Sequence, residues 1–431
     1  MTDLSPPRGT QDLLPDRADA MLGLYDEAHR LADLFGFRYL ETPTFEHTEL
    51  FARTSGDTSD VVTKEMYTFE DKGGRSITLR PEMTAGVVRA YLDHAQELGT
   101  PLRGYCVGNA FRHGRPQAGR YREFRQFDIE VIGVEGPGAD IEVLTLGDRF
   151  LRERGLRQVT LNLNSIGDEV CRPAYRDELV AYFSGFRDQL DQDCRDRLER
   201  NPLRVFDCKV DGEKDFVLAA PTIADRLCGP CAEHFAGVRQ GLDDAGIGYE
   251  LDPRLVRGLD YYTRTAFEWI SAVLAANKAG TINAGGRYDG LAAALGGPPT
   301  PGVGFAMGLD RVLLAMQTEG VAVPEARTPT AFVVAVGPET SNAADELVWT
   351  LRAAGIATIS SVEDRPMKAQ LKQADRADAR FAVIVGERDL AAGVVTVRRL
   401  KDGTQEQVAR DEVVAWLGRA GSEAGGATVT A

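Results

Sequence analysis

The sequence predicts an α+β protein: an antiparallel sheet core interrupted by a helical insertion, then a small C-terminal α/β domain. Three observations carry this expectation. Strand-like runs rich in aromatic and branched residues, separated by Gly/Pro turns, recur between residues 37 and 133 and return between 248 and 295. From Cys171 to about Gly241 the pattern changes to charged helices without strong strand signals. Beyond Pro329, strands and helices alternate. At 431 residues the chain is too long for one compact core. The expected division is 1–170 and 242–325 for two parts of one core, 171–241 for the insertion, 330–418 for the C-terminal domain and 419–431 for a disordered tail.

Each element has a local reason. Ala18–Phe35 repeats apolar residues, among them Met21, Leu24, Ala28 and Leu31, close to every 3.6 positions, which predicts an amphipathic helix. Phe37–Phe51 reads as a strand interrupted at Pro43. Val61–Arg80 reads as a hairpin turning at Lys72-Gly-Gly74. Pro81 then opens a helix through about His94, with Glu82 favourable at its N-terminus. Tyr105–Phe111 and Glu123–Gly133 are two further strands. Gly138–Arg154 is a helix, Gln158–Leu163 a strand, and Gly248–Leu251 and Tyr261–Ile270 are later strands. Pro301–Met316 is a glycine-spaced strand leading into a helix. Its glycines miss the dinucleotide fingerprint and no Gly-Lys-Ser/Thr follows, so neither a Rossmann nor a P-loop site is supported. Close helix–sheet packing is the plain reason for such glycines. After the linker Glu319–Pro329 come strand Ala331–Val336, helix Asn342–Ala354, strand Ala357–Ser361, helix Met367–Asp375, strands Phe381–Gly386 and Val394–Leu400, and helix Arg410–Leu417.

Charge singles out one stretch. Between Arg103 and Arg125 stand six arginines and His113 against one acid, Glu123, in a chain of net charge −15. That overall charge argues against broad adhesion to nucleic acid, yet leaves room for a polyanion met through local arginines. Along Glu123–Gly133 the two-residue period sets Gln126, Asp128 and Glu130 on one face. A solvated sheet face is the plain alternative. No apolar run reaches membrane-spanning length and no signal peptide is read, so a cytoplasmic protein without a membrane partner is expected. Cys228-Gly-Pro-Cys231, with His234 and Cys208, could hold zinc. With only one CxxC, structural thiols are preferred and no tightly bound protein metal is expected.

Six motifs together resemble the histidyl-tRNA synthetase family of class II aminoacyl-tRNA synthetases, over essentially residues 5–418. They are Arg8-Gly-Thr-Gln-Asp12, Leu79-Arg-Pro-Glu-Met-Thr84, Phe111-Arg-His-Gly-Arg-Pro-Gln117 continuing to Gln126 and Glu130, Leu255-Val-Arg-Gly-Leu-Asp-Tyr-Tyr262, Gly285-Gly-Arg-Tyr-Asp-Gly290, and Gly304-Phe-Ala-Met-Gly-Leu-Asp-Arg311. The resemblance implies a six-stranded antiparallel catalytic sheet, an insertion and a C-terminal anticodon-binding domain. It also implies L-histidine, ATP with Mg2+ and tRNA(His) as substrates, and a homodimer from Thr42-Pro43.

Residue by residue, it implies that Arg112 holds the α-phosphate, Arg257 bridges the reacting carboxylate and phosphate, and Arg120 and Arg311 contact ATP. Glu82, Thr84 and Gln126 would take the α-amine, and Glu130 and Tyr262 the imidazole, with Tyr261 beside it. Arg398, Arg399 and Lys401 are candidates for reading the anticodon, or are merely solvated. Gly114 departs from the family's usual Arg-x-Glu, and altered ATP affinity is expected from it. The alternative is a noncatalytic histidine-binding regulatory paralogue of histidine biosynthesis, although such proteins generally lack the C-terminal domain and lose ATP-binding arginines.

Overall fold

The computed structural model describes residues 4–55, 61–208, 210–276, 279–324 and 326–425. They form two compact units that divide after residue 325.

In the first unit the strands are β1 (Arg38–Tyr39), β2 (Phe45–His47), β3 (Tyr67–Glu70), β4 (Ser76–Leu79), β5 (Leu102–Phe111), β6 (Glu123–Ile132), β7 (Val159–Ser165), β8 (Glu250–Leu251), β9 (Thr263–Ser271), β10 (Thr281–Arg287) and β11 (Gly302–Gly308). The main sheet runs β1-β5-β6-β11-β10-β9-β7-β8, and β2-β4-β3 make a separate small sheet. Its six central strands are antiparallel throughout. Two-residue parallel strands, β1 on β5 and β8 on β7, extend that expected six-stranded core at both edges.

Apolar alternation builds the main core. Phe127, Ile129 and Val131 of β6 pack with Phe305 of β11 and Trp269 of β9. Phe127 meets Phe305 edge to face at 5.7 Å, a geometry favoured by the ring quadrupoles. The helix Pro15–Leu34 adds Leu24, Ala28 and Leu31 to the same core. Burial of each large side chain contributes about 1.5–3 kcal/mol.

The expected strand over Phe37–Phe51 is instead β1, β2 and a helix, Thr48–Ser55. Pro43 cannot donate to a ladder, so the run breaks there. Likewise, of Val61–Arg80 only β3 and β4 are strand, and Val61–Glu65 is a helical turn. The insertion has its own core, with Tyr175, Leu179, Phe183, Leu198, Val205 and Ile223. Val238 and Leu242 of the helix Gly229–Asp244 pack in the main core.

The second unit has β12 (Ala331–Val336), β13 (Thr358–Ser360), β14 (Phe381–Gly386), β15 (Val394–Arg399) and β16 (Gln405–Ala409), ordered β13-β12-β14-β15-β16. The first three strands are parallel and the last two antiparallel. β16 was not expected from the sequence, because Gln405–Ala409 is largely polar and exposed and lacks the apolar alternation of its neighbours. The closing helix spans Val413–Gly425, so residues 419–425 of the expected tail are helical. Residues 426–431 lie outside the described residues.

Candidate active site

One cavity of about 300 Å³ gathers nine of the ten residues singled out above: Arg112, Arg120, Arg311, Arg257, Glu82, Thr84, Gln126, Tyr261 and Tyr262. The tenth, Glu130, is 1% exposed on the same face of β6 as Gln126. The plain alternative for that face fails, because Gln126, Asp128 and Glu130 are all buried.

At one end three guanidiniums converge. Arg112 Nε donates to the Pro81 carbonyl at 2.8 Å, and its charge lies over the Phe124 ring. Arg311 donates to the carbonyls of Gly119 (2.8 Å) and Thr281 (2.6 Å). Arg120 donates to Glu65 at 2.6 Å. Burial, with the charges of Arg112 and Arg120, lowers the pKa of Arg311 to about 10. Three like charges, two held by neutral carbonyls and one by Glu65, suit a polyanionic ligand, since each guanidinium grips phosphate bidentately.

The other group is acidic and short of partners. Glu82 accepts from Ala85 N at 3.0 Å, at the start of the helix Thr84–Asp93, while its Oε2 is buried without a hydrogen bond. Gln126 Oε1 and Glu130 Oε1 are buried and unpaired too. Unmet buried acceptors are costly, so such a cluster marks where a donor-rich ligand settles. Glu130 Oε2 accepts from Tyr288, and Tyr261 stands 4.5 Å from Tyr262 between ring centroids. Arg257 joins the groups: it lies over Tyr262 at 5.4 Å and pairs with Glu268, whose charge also bears on Arg311.

Burial raises the pKa of Glu130 to about 8, despite Thr84 and Tyr288, which favour its ionised form. An acid raised in this way destabilises the fold as it ionises. Stability is full below the unfolded value of 4.5 and is lost as pH rises toward 8. Glu130→Gln abolishes that titration. Its advantage in thermal unfolding of ligand-free protein is therefore expected to grow from about pH 4.5 to 8 and then level off. A difference constant across that range would refute the assignment.

Three residues of this site were not anticipated. Tyr288 belongs to the Gly285–Gly290 motif, which was noticed but given no role. Glu268 is a carboxylate within the apolar run of β9, a signal that could have found it. Glu65 precedes β3 and carried no sequence signal. Other motif residues brace the walls. Gly9 O accepts from Arg122 N at 2.7 Å, and Arg125 and Gln11 both reach Asp310. Arg287 is fully buried on Asp140 and Asp289.

The β11 glycines do not serve helix packing. A Cβ at Gly304 would lie 2.0 Å from Glu130 Oε2, and one at Gly302 would lie 2.2 Å from the Tyr288 ring. The proposed Cys208/Cys228/Cys231/His234 set also does not assemble. His234 Nε2 lies 3.2 Å from Asp140, and Cys208 belongs to a different cluster from Cys228 and Cys231.

Residues 9–312 match the family model "Histidyl-tRNA synthetase". The chain belongs to the histidyl-tRNA synthetase family, in class II of the aminoacyl-tRNA synthetases. Residues 330–419 match "Anticodon binding domain". The histidine--tRNA ligase of Moorella thermoacetica is 48% identical over 95% of this chain and 97% of its own length. That of Acetivibrio thermocellus is 42% identical over 95% and 98%. The apo histidyl-tRNA synthetase of S. aureus superposes with a TM-score of 0.81 at 36% identity, covering 96% of this chain and all of that one. A Bacillus halodurans protein described as an ATP phosphoribosyltransferase regulatory subunit/histidyl-tRNA synthetase shares the fold, at 22% identity and a TM-score of 0.63.

Proposed function

We propose that this chain activates L-histidine with ATP and transfers the histidyl group to the 3′ end of tRNA(His). The observation that carries this reading is one cavity with three converging arginines and a group of buried, unpaired acceptors, joined through Arg257. In the first step a histidine carboxylate oxygen attacks the α-phosphorus, the bond to the bridging oxygen breaks, and pyrophosphate leaves. Both reactants are anions, so positioned cations matter more than proton transfer. Arg112 holds the α-phosphate, Arg120 and Arg311 hold the rest of ATP, and magnesium enters with ATP as part of the substrate. Arg257 spans carboxylate and phosphate. Glu82, Thr84 and Gln126 accept the α-ammonium, whose three donors meet the unpaired oxygens of Glu82 and Gln126 and the Thr84 hydroxyl. Glu130 and Tyr262 take the imidazole nitrogens, with Tyr261 and Tyr288 fixing their orientation. In the second step a ribose hydroxyl of the tRNA end attacks the carbonyl and AMP leaves.

The second unit reads the anticodon, with Arg398, Arg399 and Lys401 as candidates. Arg399 lies over the Phe381 ring at 5.3 Å, so packing explains part of its placement. The protein works as a cytoplasmic homodimer. Among the described residues no helix is long and apolar enough to cross a membrane. Sedimentation returning the mass of a single chain would count against the dimer.

The deciding assay is ATP–pyrophosphate exchange run beside charging of total tRNA. Exchange that depends on histidine alone, followed by charging, is the expected result. Histidine binding without exchange would place the chain with the regulatory paralogues, against its four retained arginines.

Gly114 offers a finer test. A Cβ there would sit 3.0 Å from Arg120 Nε, so Gly114→Glu sets a second carboxylate against Glu65 for the same guanidinium. The KM for ATP is expected to move roughly fivefold, about one hydrogen bond's worth, while histidine KM stays put. An unchanged ATP KM would remove this account of the departure.

A further inference from the structure

We propose that Asp168, Cys171, Cys228 and Cys231 form a zinc site that clasps the entrance of the helical insertion to its exit. Asp168 and Cys171 follow β7, where the chain enters the insertion. Cys228 and Cys231 begin the helix Gly229–Asp244, where it returns to the main core. Though 60 positions apart, Cys171 Sγ and Cys231 Sγ are 3.9 Å from each other. Asp168 Oδ1 lies 3.5 Å from Cys171 Sγ and 3.7 Å from Cys228 Sγ. All four ligand atoms fall within 4.8 Å of one another. Tetrahedral zinc, with bonds of about 2.3 Å to sulfur and 2.0–2.2 Å to oxygen, requires sulfur–sulfur separations of about 3.8 Å and sulfur–oxygen separations of about 3.6 Å. The observed spacings match both.

The surroundings suit a bound cation. Asp168 Oδ1 accepts from Val170 N at 3.0 Å and Cys171 N at 3.3 Å, so the carboxylate is held in place beside the sulfurs. Three thiolates and a carboxylate leave a zinc site net negative, and two cations answer that charge. Arg264 is 3.8 Å from Asp168, and Arg172, next to Cys171 in the chain, donates to the Gly167 carbonyl at 3.2 Å. The backbone is shaped to the site as well. Gly167 adopts φ +66°, and a Cβ there would lie 2.6 Å from Cys171 Sγ. The clasp abuts the candidate active site, because Arg172 donates to the Tyr262 carbonyl at 2.6 Å.

The other group, Asp191, Cys194, Cys208 and Asp211, has two carboxylates to two thiols, and a lysine already answers its charge. Asp191 caps Cys194 N at 2.6 Å, and Asp211 accepts from Asp191 N at 2.8 Å and pairs with Lys214 at 2.6 Å.

The test is zinc content of the full chain, purified without chelator and dialysed against metal-free buffer, measured by plasma mass spectrometry. Loss of one zinc per chain is expected in Cys171→Ser and in Cys231→Ser, with none lost in Cys106→Ser. Should the serine variants fail to fold, X-ray absorption at the zinc edge of the unmodified protein decides, with three sulfurs and one oxygen expected. Folded, zinc-free protein carrying a Cys228–Cys231 disulfide would overturn the proposal. So would zinc that persists unchanged in the Cys171→Ser variant.

Discussion

Arg257→Ala is expected to slow adenylate formation by about 10²–10³-fold while leaving the KM for histidine within a few-fold, the size of effect seen when one pre-aimed electrostatic donor is removed. The guanidinium is held on two sides, by the Tyr262 ring beneath it and by Glu268 at Nη1, while its Nε is buried without a hydrogen bond. Burial works against its charge, but Glu268, Tyr262 and Tyr261 together outweigh that penalty, so its pKa is raised and it stays cationic. A charge fixed beforehand costs nothing to orient when the pentacoordinate phosphate forms. Arg257→Lys is expected to recover only part of the rate, because an ammonium cannot span carboxylate and phosphate together. Removing Arg257 alone also leaves Glu268 buried without its cation, so the double change Arg257→Ala with Glu268→Gln separates lost chemistry from lost stability. Single-turnover measurement is the check. A slowing of less than about threefold in a folded variant would exclude Arg257 from the transition state.

Gly304→Ala is expected to lower kcat/KM for histidine by at least about 10²-fold and to destabilise the fold by roughly 1–3 kcal/mol. The added methyl would lie 2.0 Å from Glu130 Oε2 and 2.3 Å from the Ile129 carbonyl, across the β6–β11 pairing that sets Gly304 opposite Glu130. Glu130 can turn away from Tyr288, but the Ile129 carbonyl is backbone, so the β6–β11 pairing must give as well and the imidazole acceptor is displaced. ATP KM should hardly move. If histidine KM is unchanged in a variant of lowered thermal stability, the glycine serves the strand pairing alone.

These two residues illustrate what could be read from the chain. Arg257 stood out because a motif surrounds it, and the resemblance implied a role at one numbered position, which lines the cavity. Gly304 was visible as a glycine but its reason was not, since the clash that forbids a side chain comes from a strand paired with it only in three dimensions. The same holds for Glu65 on Arg120 and Tyr288 on Glu130, contacts between segments distant in sequence. Local pattern located the sheet, the insertion and the alternating second unit, because apolar periodicity is a property of neighbours along the chain. It misjudged Phe37–Phe51 and missed Gln405–Ala409, where partner strands decide pairing more than intrinsic preference does. Burial of Gln126, Asp128 and Glu130 was equally out of reach, since a polar alternating face looks the same whether water or a ligand covers it.

The β6–β11 pairing also governs the order in which the molecule is completed. β5 and β6 follow one another in the chain and pair with each other, so both are made before β11. β11, the other neighbour of β6, is the last strand of its unit to be made. Until it arrives, β6 is an open edge bearing Phe127, Ile129 and Val131 on one side and three buried-to-be acids and amides on the other. An unpaired apolar edge is a template for association with other chains. A chain halted before Gly302 therefore keeps the edge that bears Gln126, Asp128 and Glu130 without its second partner strand.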